Sequence, residues 1–361
     1  MTDKSIALAL SGGGVRAMVF HMGVLKALAE RNLLEKVSRI STVSGGSLLL
    51  GLILQENQLR WPTSTEYLDV IYPSLREKIC TRSIMLGALK QLLYPWNWKY
   101  LLSRANAVAK TLEKDWGVTA CLSDLPIEPE VSINSTPAEN GVRFRFKKDS
   151  IGDYTIGYAS AGSYKLANAM AVSAGFPGGI GPLVLDTTKY DWKTWAPNGL
   201  GEISYPPFSK LHLYDGGVYD NLGLEPYFNS GTLKAKLPNI YIITSDAGAP
   251  LQTGFKRWAL SPFRLMRVLD IISNQARALR VRTFTTYIQA EKTNGAYIYI
   301  NTPLVDGSKC EDARLASSYP TDLKKISEVN FDQIAGYGYQ VAKKVDSEYG
   351  LYPEGSNNFC E

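Results

Sequence analysis

The chain has 361 residues, 45% of them hydrophobic, with Lys+Arg 39 against Asp+Glu 34 and a formal net charge of +5. That length suits one large α/β domain with inserted elements or two smaller domains, and the apolar content is enough for a sizeable core. The charge balance lacks the concentrated basic run of a nucleic-acid binder and slightly favours an anionic membrane surface, while Cys80, Cys121, Cys310 and Cys360 are too scattered for a zinc cluster or a disulfide framework.

Residues 6–10 read as a buried strand. Residues 15–31 read as a helix, with Val19, Met22, Val24, Leu25 and Leu28 at helical spacing. Residues 37–43 form a second strand and residues 46–55 a second helix. Strand, helix, strand, helix predicts parallel strands joined by crossover helices. Residues 57–125 carry several helix-like pieces and no strand pattern, so they read as a helical insertion. Strands are predicted at 131–135, 143–147 and 154–158, a small helix at 165–173, and short strands at 183–186 and 211–214 with a loop-rich excursion between them. A core strand at 240–245, a long helix at 263–288, a strand at 296–301 and a closing helix at 331–349 complete the chain. One domain over 1–361, with the insertion at about 57–125 and a helical and strand extension at about 255–361, fits better than two.

No uninterrupted apolar run approaches the roughly 18 residues of a transmembrane helix, and the stretch at 6–10 is too short for a signal-peptide core. The default is a soluble cytoplasmic chain, at most peripheral to a membrane. Export by a signal-independent route stays open.

Two glycine-rich turns carry chemistry. Val43-Ser44-Gly45-Gly46-Ser47 joins the second strand to the second helix. A nucleophile at such a junction is forced into a tight turn that exposes its Oγ, and small neighbours such as Gly45 and Gly46 are needed there. Thr42 stands where the G-x-S-x-G pattern has its first glycine, so the alternative of Ser44 as an ordinary helix N-cap remains. Ser11-Gly12-Gly13-Gly14-Val15-Arg16-Ala17 joins the first strand to the first helix. Its N–H groups can converge on an anion at the positive helix end, which beside a nucleophile makes an oxyanion hole. The same loop satisfies G-x-G-x-x-A, a dinucleotide fingerprint, but the next strand ends Thr42-Val43-Ser44 without the acidic residue that reading requires. A phosphate-binding P-loop fails for want of Gly-Lys-Ser/Thr.

The base is less plain. The chain has two histidines. His21, after Phe20 on the first helix, suits a buried, hydrogen-bonded structural role. Ser44, Asp186 and His212 follow the chain order of an elbow triad, though nothing else marks Asp186. Asp215 ends a strand and precedes Gly216-Gly217. A desolvated carboxylate there could itself serve as base; an Asp-Gly hairpin turn is the alternative.

Together, the Ser11–Ala17 and Val43–Ser47 motifs and Asp215-Gly216-Gly217-Val218-Tyr219-Asp220-Asn221 resemble the patatin-like phospholipases, and the first is similar to the catalytic domain of the cytosolic phospholipase A group. Asn134-Ser135-Thr136, Ala171-Val172-Ser173-Ala174-Gly175-Phe176-Pro177 and Ser245-Asp246-Ala247-Gly248 match more loosely. The resemblance implies a three-layer α/β fold with a mostly parallel central sheet. It implies a Ser–Asp dyad without catalytic histidine: Ser44 as nucleophile, Asp215 as base, Gly12, Gly13 and Gly14 as oxyanion hole, Gly216 and Gly217 as turn support. Arg16 matches an arginine linked in relatives to substrate phosphate or oxyanion stabilisation; a helix-surface arginine is the other reading.

The expected activity is a lipid acyl hydrolase of the phospholipase A type that needs no metal or cofactor, acting on phospholipid or another acyl lipid. A thioesterase or acyltransferase on the same dyad, or an inactive lipid-binding scaffold, are the alternatives. Residues 85–102 place Leu92, Leu93, Tyr94, Trp96, Trp98, Tyr100 and Leu101 among Lys90 and Lys99, which suits a bilayer interface or a lid; a helical insertion packed on the core is the plainer account. On the helix from 263, Leu265, Val268, Leu269, Ile272, Ala276 and Leu279 share a stripe with Arg267, Arg277 and Arg280 off it, which predicts core packing and a solvated basic face.

Overall fold

The strand–helix alternation at the start of the chain folds as its pattern predicts. The computed structural model describes residues 4–101, 103–196, 199–251, 253–255, 263–304 and 311–352. β1 (Ser5–Leu10), α1 (Gly14–Ala29), β2 (Val37–Thr42) and α2 (Gly45–Glu56) follow in order. β1 and β2 pair in parallel, as a crossover helix between them requires. The insertion contains α3 (Ser64–Glu66), α4 (Tyr72–Thr81), α5 (Ile84–Leu92), a 3₁₀ segment Pro95–Tyr100 and α6 (Ala105–Asp115), with no strand among the described residues.

The rest of the chain supplies β3 (Glu130–Pro137), β4 (Phe144–Phe146), β5 (Ser150–Asp153), β6 (Gly157–Ser160), α7 (Leu166–Ser173), β7 (Leu183–Asp186), β8 (Lys193–Ala196), β9 (Gly199–Ile203), β10 (Lys210–Asp215) and α8 (Gly217–Asp220). A two-residue hairpin pair, β11 (Phe228–Asn229) and β12 (Lys234–Ala235), precedes β13 (Ile240–Asp246), α9 (Phe263–Ala290), β14 (Gly295–Tyr299), α10 (Glu311–Ser318) and α11 (Glu328–Tyr349). In the main sheet the order is β14-β13-β1-β2-β3-β4-β5-β6-β8-β9, and β10 pairs with β3 and β7. The first five strands are parallel; from β4 outward the pairing is antiparallel.

Three local readings are corrected. Residues 154–158 do not form one strand, because Asp153 Oδ1 accepts from the N–H groups of Thr155 (2.8 Å) and Ile156 (3.1 Å) and closes a turn between β5 and β6. The excursion between β7 and β10 contains a hairpin, β8 and β9, whose outward side chains lack an apolar alternation. Glu311–Ser318 is an unpredicted helix, too short and polar for its period to be read.

Side-chain alternation splits the core across the two sheet faces. Ile6, Leu8 and Leu10 of β1 point into the cluster built with α1, α2 and α11. Ala7 of β1 and Ile240 and Ile242 of β13 point the other way, against Leu222, Leu224, Tyr227 and Phe228 and against Phe284 of α9. Helices therefore cover both faces, the three-layer arrangement expected. Helix α1 is buried almost all round because α11 covers its outer side. The two approach at glycines: a Cβ on Gly23 would lie 1.8 Å from the Ala335 carbonyl oxygen, and one on Gly338 2.4 Å from that of Phe20.

The long helix α9 reverses its expectation. Val268, Leu269, Ile272 and Leu279 lie in solvent, Leu279 at 60% exposure. Arg277 turns inward to the buried Asp246, and Arg280 to Glu225 at 3.0 Å and the Tyr219 carbonyl at 3.1 Å. Buried carboxylates at the sheet's edge attract the arginine face more strongly than the core attracts the aliphatic one. Leu265 lies outside the residues whose side chains are described. Among the described residues no helix is long and apolar enough to cross a membrane.

Candidate active site

Strand topology brings the two marked turns together. β2 pairs with β3 as far as Thr42 opposite Ile133. Beyond that point the same edge of β3 is taken by β10, antiparallel, with Asp215 opposite Ser135. The C-terminal ends of β2 and β10 therefore point at each other, and Ser44 and Asp215 stand just past them.

Ser44 has φ 52° and ψ −118°, a conformation that costs a non-glycine residue about 1–3 kcal/mol. It precedes α2, but its side chain accepts no backbone N–H of that helix. The ordinary N-cap reading is thereby excluded. The hydroxyl instead lies near the Asp215 carboxylate, whose charged form it favours. Gly12 packs against it: a Cβ on Gly12 would lie 2.9 Å from Ser44 Cβ and 2.4 Å from Asn221 Oδ1. The turn is held by its backbone. Ser44 N–H donates to Ser173 Oγ at 3.0 Å, and Ser173 donates onward to the Asn134 carbonyl at 2.7 Å. Thr42, the departure from the usual glycine, is fully buried with its Oγ1 2.9 Å from Ser47 Oγ. Ser47 Oγ lies 2.8 Å from Ser173 Oγ. Asn134 Nδ2 donates to the Thr42 carbonyl at 2.9 Å.

Asp215 is buried. Its carboxylate accepts from Gly217 N–H at 2.7 Å, while its own N–H donates to the Gly175 carbonyl at 3.0 Å. Gly216 packs flat against β3, where a Cβ would lie 2.5 Å from the Asn134 carbonyl oxygen. Burial pushes the Asp215 carboxyl up to about 7, against the opposing pull of the Gly217 and Ser44 hydrogen bonds. The Asp-Gly pair does not close a hairpin; it leads into α8.

In the first glycine loop, Gly13 (φ 147°) and Gly14 (φ 61°) lie where only glycine sits without strain. Gly12 N–H is taken by the Asn221 carbonyl at 3.1 Å, whereas the N–H groups of Gly13 and Gly14 donate to no described residue. Gly45 packs tightly on this loop, its notional Cβ 2.2 Å from the Gly14 carbonyl oxygen, and Gly46 on Leu10. Arg16 is only 3% exposed, so the helix-surface reading is corrected. Its guanidinium donates to the carbonyls of Ala247 (3.2 Å) and Tyr319 (2.7 Å), and a Cβ on Gly13 would lie 3.0 Å from its Nη2. Burial lowers its pKa to about 10.

Among the described residues neither histidine is hydrogen-bonded to Ser44 or Asp215. His21 is buried, with Nδ1 2.7 Å from Ser245 Oγ and Nε2 3.0 Å from the Ser11 carbonyl. The carbonyl can only accept, so Nε2 carries the proton and Nδ1 accepts from Ser245. Burial lowers its pKa to about 4. His212 falls on the opposite face of β10 from Asp215 and binds Glu139 at 2.6 Å. Asp186 accepts from Thr188 N–H at 3.2 Å and Thr188 Oγ1 at 2.6 Å. The Ser44–Asp186–His212 order is a coincidence of numbering. Cys80 and Cys121 are free thiols; Cys310 and Cys360 lie outside the described residues.

Ser173 and Ser47 carried no role in the sequence, although a serine inside the apolar run Ala171-Val172-Ser173-Ala174 is a legible oddity. The insertion packs through Ile84, Gly87, Ala88 and Gln91 and leaves Leu93 78% and Trp96 66% exposed, with Leu86, Leu89, Tyr94, Trp98 and Leu101 beside them. The expectation of core packing over residues 85–102 is corrected for these side chains. Leu102 and the side chain of Lys99 lie outside the described residues.

The stretch of chain that carries these turns matches a known family. The patatin-like phospholipase family model matches residues 8–227, more than half of the chain, and the chain belongs to that family. The fold is similar to that of human GIVD cytosolic phospholipase A2, with a TM-score of 0.53 at 13% identity over 95% of this chain and 61% of that one. The same human enzyme in complex with methyl gamma-linolenyl fluorophosphonate gives a TM-score of 0.51 at 14% identity, over 95% and 57% of the two chains. This chain thus spans less than two thirds of the human protein. No curated protein sequence matches it.

Proposed function

We propose that this protein is a lipid acyl hydrolase of the phospholipase A type that works through a Ser44–Asp215 dyad. The observation that carries the reading is the strained Ser44, which does not cap its helix and whose hydroxyl lies near the buried Asp215 carboxylate. Ser44 Oγ attacks the ester carbonyl of the lipid while Asp215 takes its proton. Negative charge on the carbonyl oxygen is met by Gly13 and Gly14 N–H, the loop donors without another partner among the described residues. One such donor is typically worth ~10²–10³ in rate. Gly12, whose N–H is committed to Asn221, contributes room for the Ser44 side chain. Asp215 returns its proton to the departing alcohol, leaving an acyl-enzyme. Water then attacks the acyl carbon, Asp215 again takes the proton, and Ser44 leaves with it.

Arg16 supports the oxyanion site from behind. Buried on two carbonyls, it fixes the glycine loop and adds positive charge near Gly13. The exposed ridge from Leu86 to Leu101 is the membrane-contact surface. Ser103 Oγ donates to the Pro182 carbonyl at 2.6 Å and so ties the end of that ridge to the loop from Gly175 to Pro182, whose Gly175 carbonyl binds Asp215. Aromatic side chains beside an exposed lysine, Lys90, suit the interfacial region of a bilayer.

A fluorophosphonate probe tests the nucleophile, and the human neighbour's complex with such a compound makes it the natural reagent. Labelling of the wild type that disappears in Ser44→Ala, together with fatty-acid release from a phospholipid panel read by mass spectrometry, is the expected outcome. Equal labelling of both forms would sink the assignment. Labelling with thioester cleavage and no lipid hydrolysis would move the activity to the thioesterase alternative.

A further inference from the structure

At the far end of β2 and β3 from the dyad lies a cavity of about 120 Å³, lined by Arg39, Glu130, Ser132, Arg143, Arg145, Lys147, Pro226, Tyr227 and Leu237. Four cations face one carboxylate in this lining. The pattern is written into the sequence: in Arg143-Phe144-Arg145-Phe146-Lys147 every second residue is cationic. On a strand that alternation puts all three charges on one face about 7 Å apart, while Phe144 and Phe146 fill the core on the other. Like charges so arranged repel, and a fold tolerates them only with a counter-charge.

The counter-charge present does not suffice. Glu130 is shared between Arg39 and Lys147. Arg143 donates to the neutral Asn134 Oδ1 at 3.4 Å. Glu225 and Asp220 also pull on Arg143, but Glu225 already pairs with Arg280 and Lys236 and Asp220 with Arg280. Arg145 stacks on Tyr158 with its Cζ 4.2 Å from the ring centre, and its buried Nε has no hydrogen-bond partner. Among the described residues neither Arg143 nor Arg145 forms a salt bridge. Burial, and then the neighbouring Arg145, lowers the pKa of Arg143. Lys147 is likewise lowered, chiefly by burial, although Glu130 opposes the shift.

We propose that this cavity is a binding site for a phosphate-class anion, separate from the dyad, in which Arg145 and Lys147 hold the anion's oxygens and Arg39 and Arg143 supply flanking charge. Guanidinium groups match a tetrahedral oxyanion through paired N–H donors, and Arg145, which lines the cavity, has no salt bridge among the described residues. A free phosphate and the phosphomonoester headgroup of a lipid share this chemistry. The site lies on the side of the sheet covered by Tyr227 and Leu237, away from the serine elbow, so binding needs no turnover.

Calorimetric titration of the full chain with inorganic phosphate tests the free-anion source, with Ser44→Ala run alongside. Flotation of Ser44→Ala with phosphatidylcholine vesicles, with and without phosphatidic acid, tests the headgroup source. The proposal expects saturable binding in at least one arm, weakened about tenfold or more by Arg145→Gln and by Lys147→Met, unchanged in affinity by Ser44→Ala, and reduced by added salt. The Lys147 side chain is 28% exposed, so Lys147→Met keeps the test sound if Arg145→Gln does not fold. Phosphate that competes the protein off phosphatidic-acid vesicles identifies one site serving both sources; binding to those vesicles alone assigns it to the headgroup. Absence of binding in both arms, or binding that both variants leave intact, overturns the proposal.

Discussion

On the proposed mechanism one buried carboxyl, that of Asp215, sets both reactivity and stability. With its pKa pushed up to about 7, it is a far better proton acceptor than a surface carboxylate at 3.8. Hydrolysis by the proposed dyad should therefore rise with pH and reach half its plateau near pH 7; a kcat/KM profile already flat from pH 5 upward would exclude Asp215 as the base. The same burial acts on the fold. Between 3.8 and about 7 the unfolded chain has lost this proton while the native chain keeps it, so stability falls as pH rises through that window. At about 1.4 kcal/mol per pH unit, the charged carboxylate costs on the order of 4 kcal/mol above pH 7. Asp215→Asn should then abolish hydrolysis yet raise the thermal midpoint above pH 7, with the gain fading toward pH 4. His21 works in the opposite direction. Held neutral with its pKa lowered to about 4, it lets the unfolded chain bind the extra proton below 6.5, so its contribution is lost as pH falls through that range. The two slopes oppose each other between about pH 4 and 6.5, and removing Asp215 should expose the acid lability due to His21. Both residues of the proposed dyad stand out in sequence because a tight turn needs glycine next door, and composition records that need locally. Ser173 and Asn134 were not assigned roles because their hydrogen bonds to the elbow join strands and helices distant in the chain.

At the scale of elements, α1 and α11 make the sharpest forecast. Gly338 meets the Phe20 carbonyl and Gly336, one turn face away, meets nothing within 4 Å. Gly338→Ala should destabilise the protein by ~1–3 kcal/mol by forcing the helices apart, whereas Gly336→Ala should be neutral or stabilise by up to ~1 kcal/mol through helix propensity. Denaturant midpoints for the two variants decide this, and equal effects would mean that the helices do not touch there. The sequence was most informative where period and burial agree, as in β1, α1, β2 and α2. It misleads in α9, where the aliphatic stripe reads as the buried face. Periodicity reports that a helix has two unlike faces, but which one turns inward depends on what waits there, in this case Asp246, Asp220 and Glu225. The turn at Asp153 was missed for a related reason: its Oδ1 caps two backbone N–H groups inside a run that otherwise reads as strand.

For the molecule as a whole, apolar surface is left open on two elements that are each anchored to the site's loops. The α5 ridge connects through Ser103 to the loop that binds Asp215, and α9 connects through Arg277 to Asp246 and through Arg280 to Tyr219 in α8. Exposed patches of this kind mark interaction surfaces. Replacing Leu93 and Trp96 together with Ala should weaken co-sedimentation with phosphatidylcholine vesicles severalfold, while fluorophosphonate labelling in solution stays unchanged. Unaltered vesicle binding would place the membrane contact elsewhere. The head-on meeting of β2 and β10 has a further consequence for biosynthesis. Ser44 emerges early from the ribosome, but its partner carboxylate arrives only after the insertion and most of the sheet have been made. On the proposed mechanism a nascent chain, a degradation fragment or a product truncated before β10 holds a serine without Asp215 as its base. The chain is thus, on that mechanism, inert toward lipid esters until β10 has been made and has paired with β3.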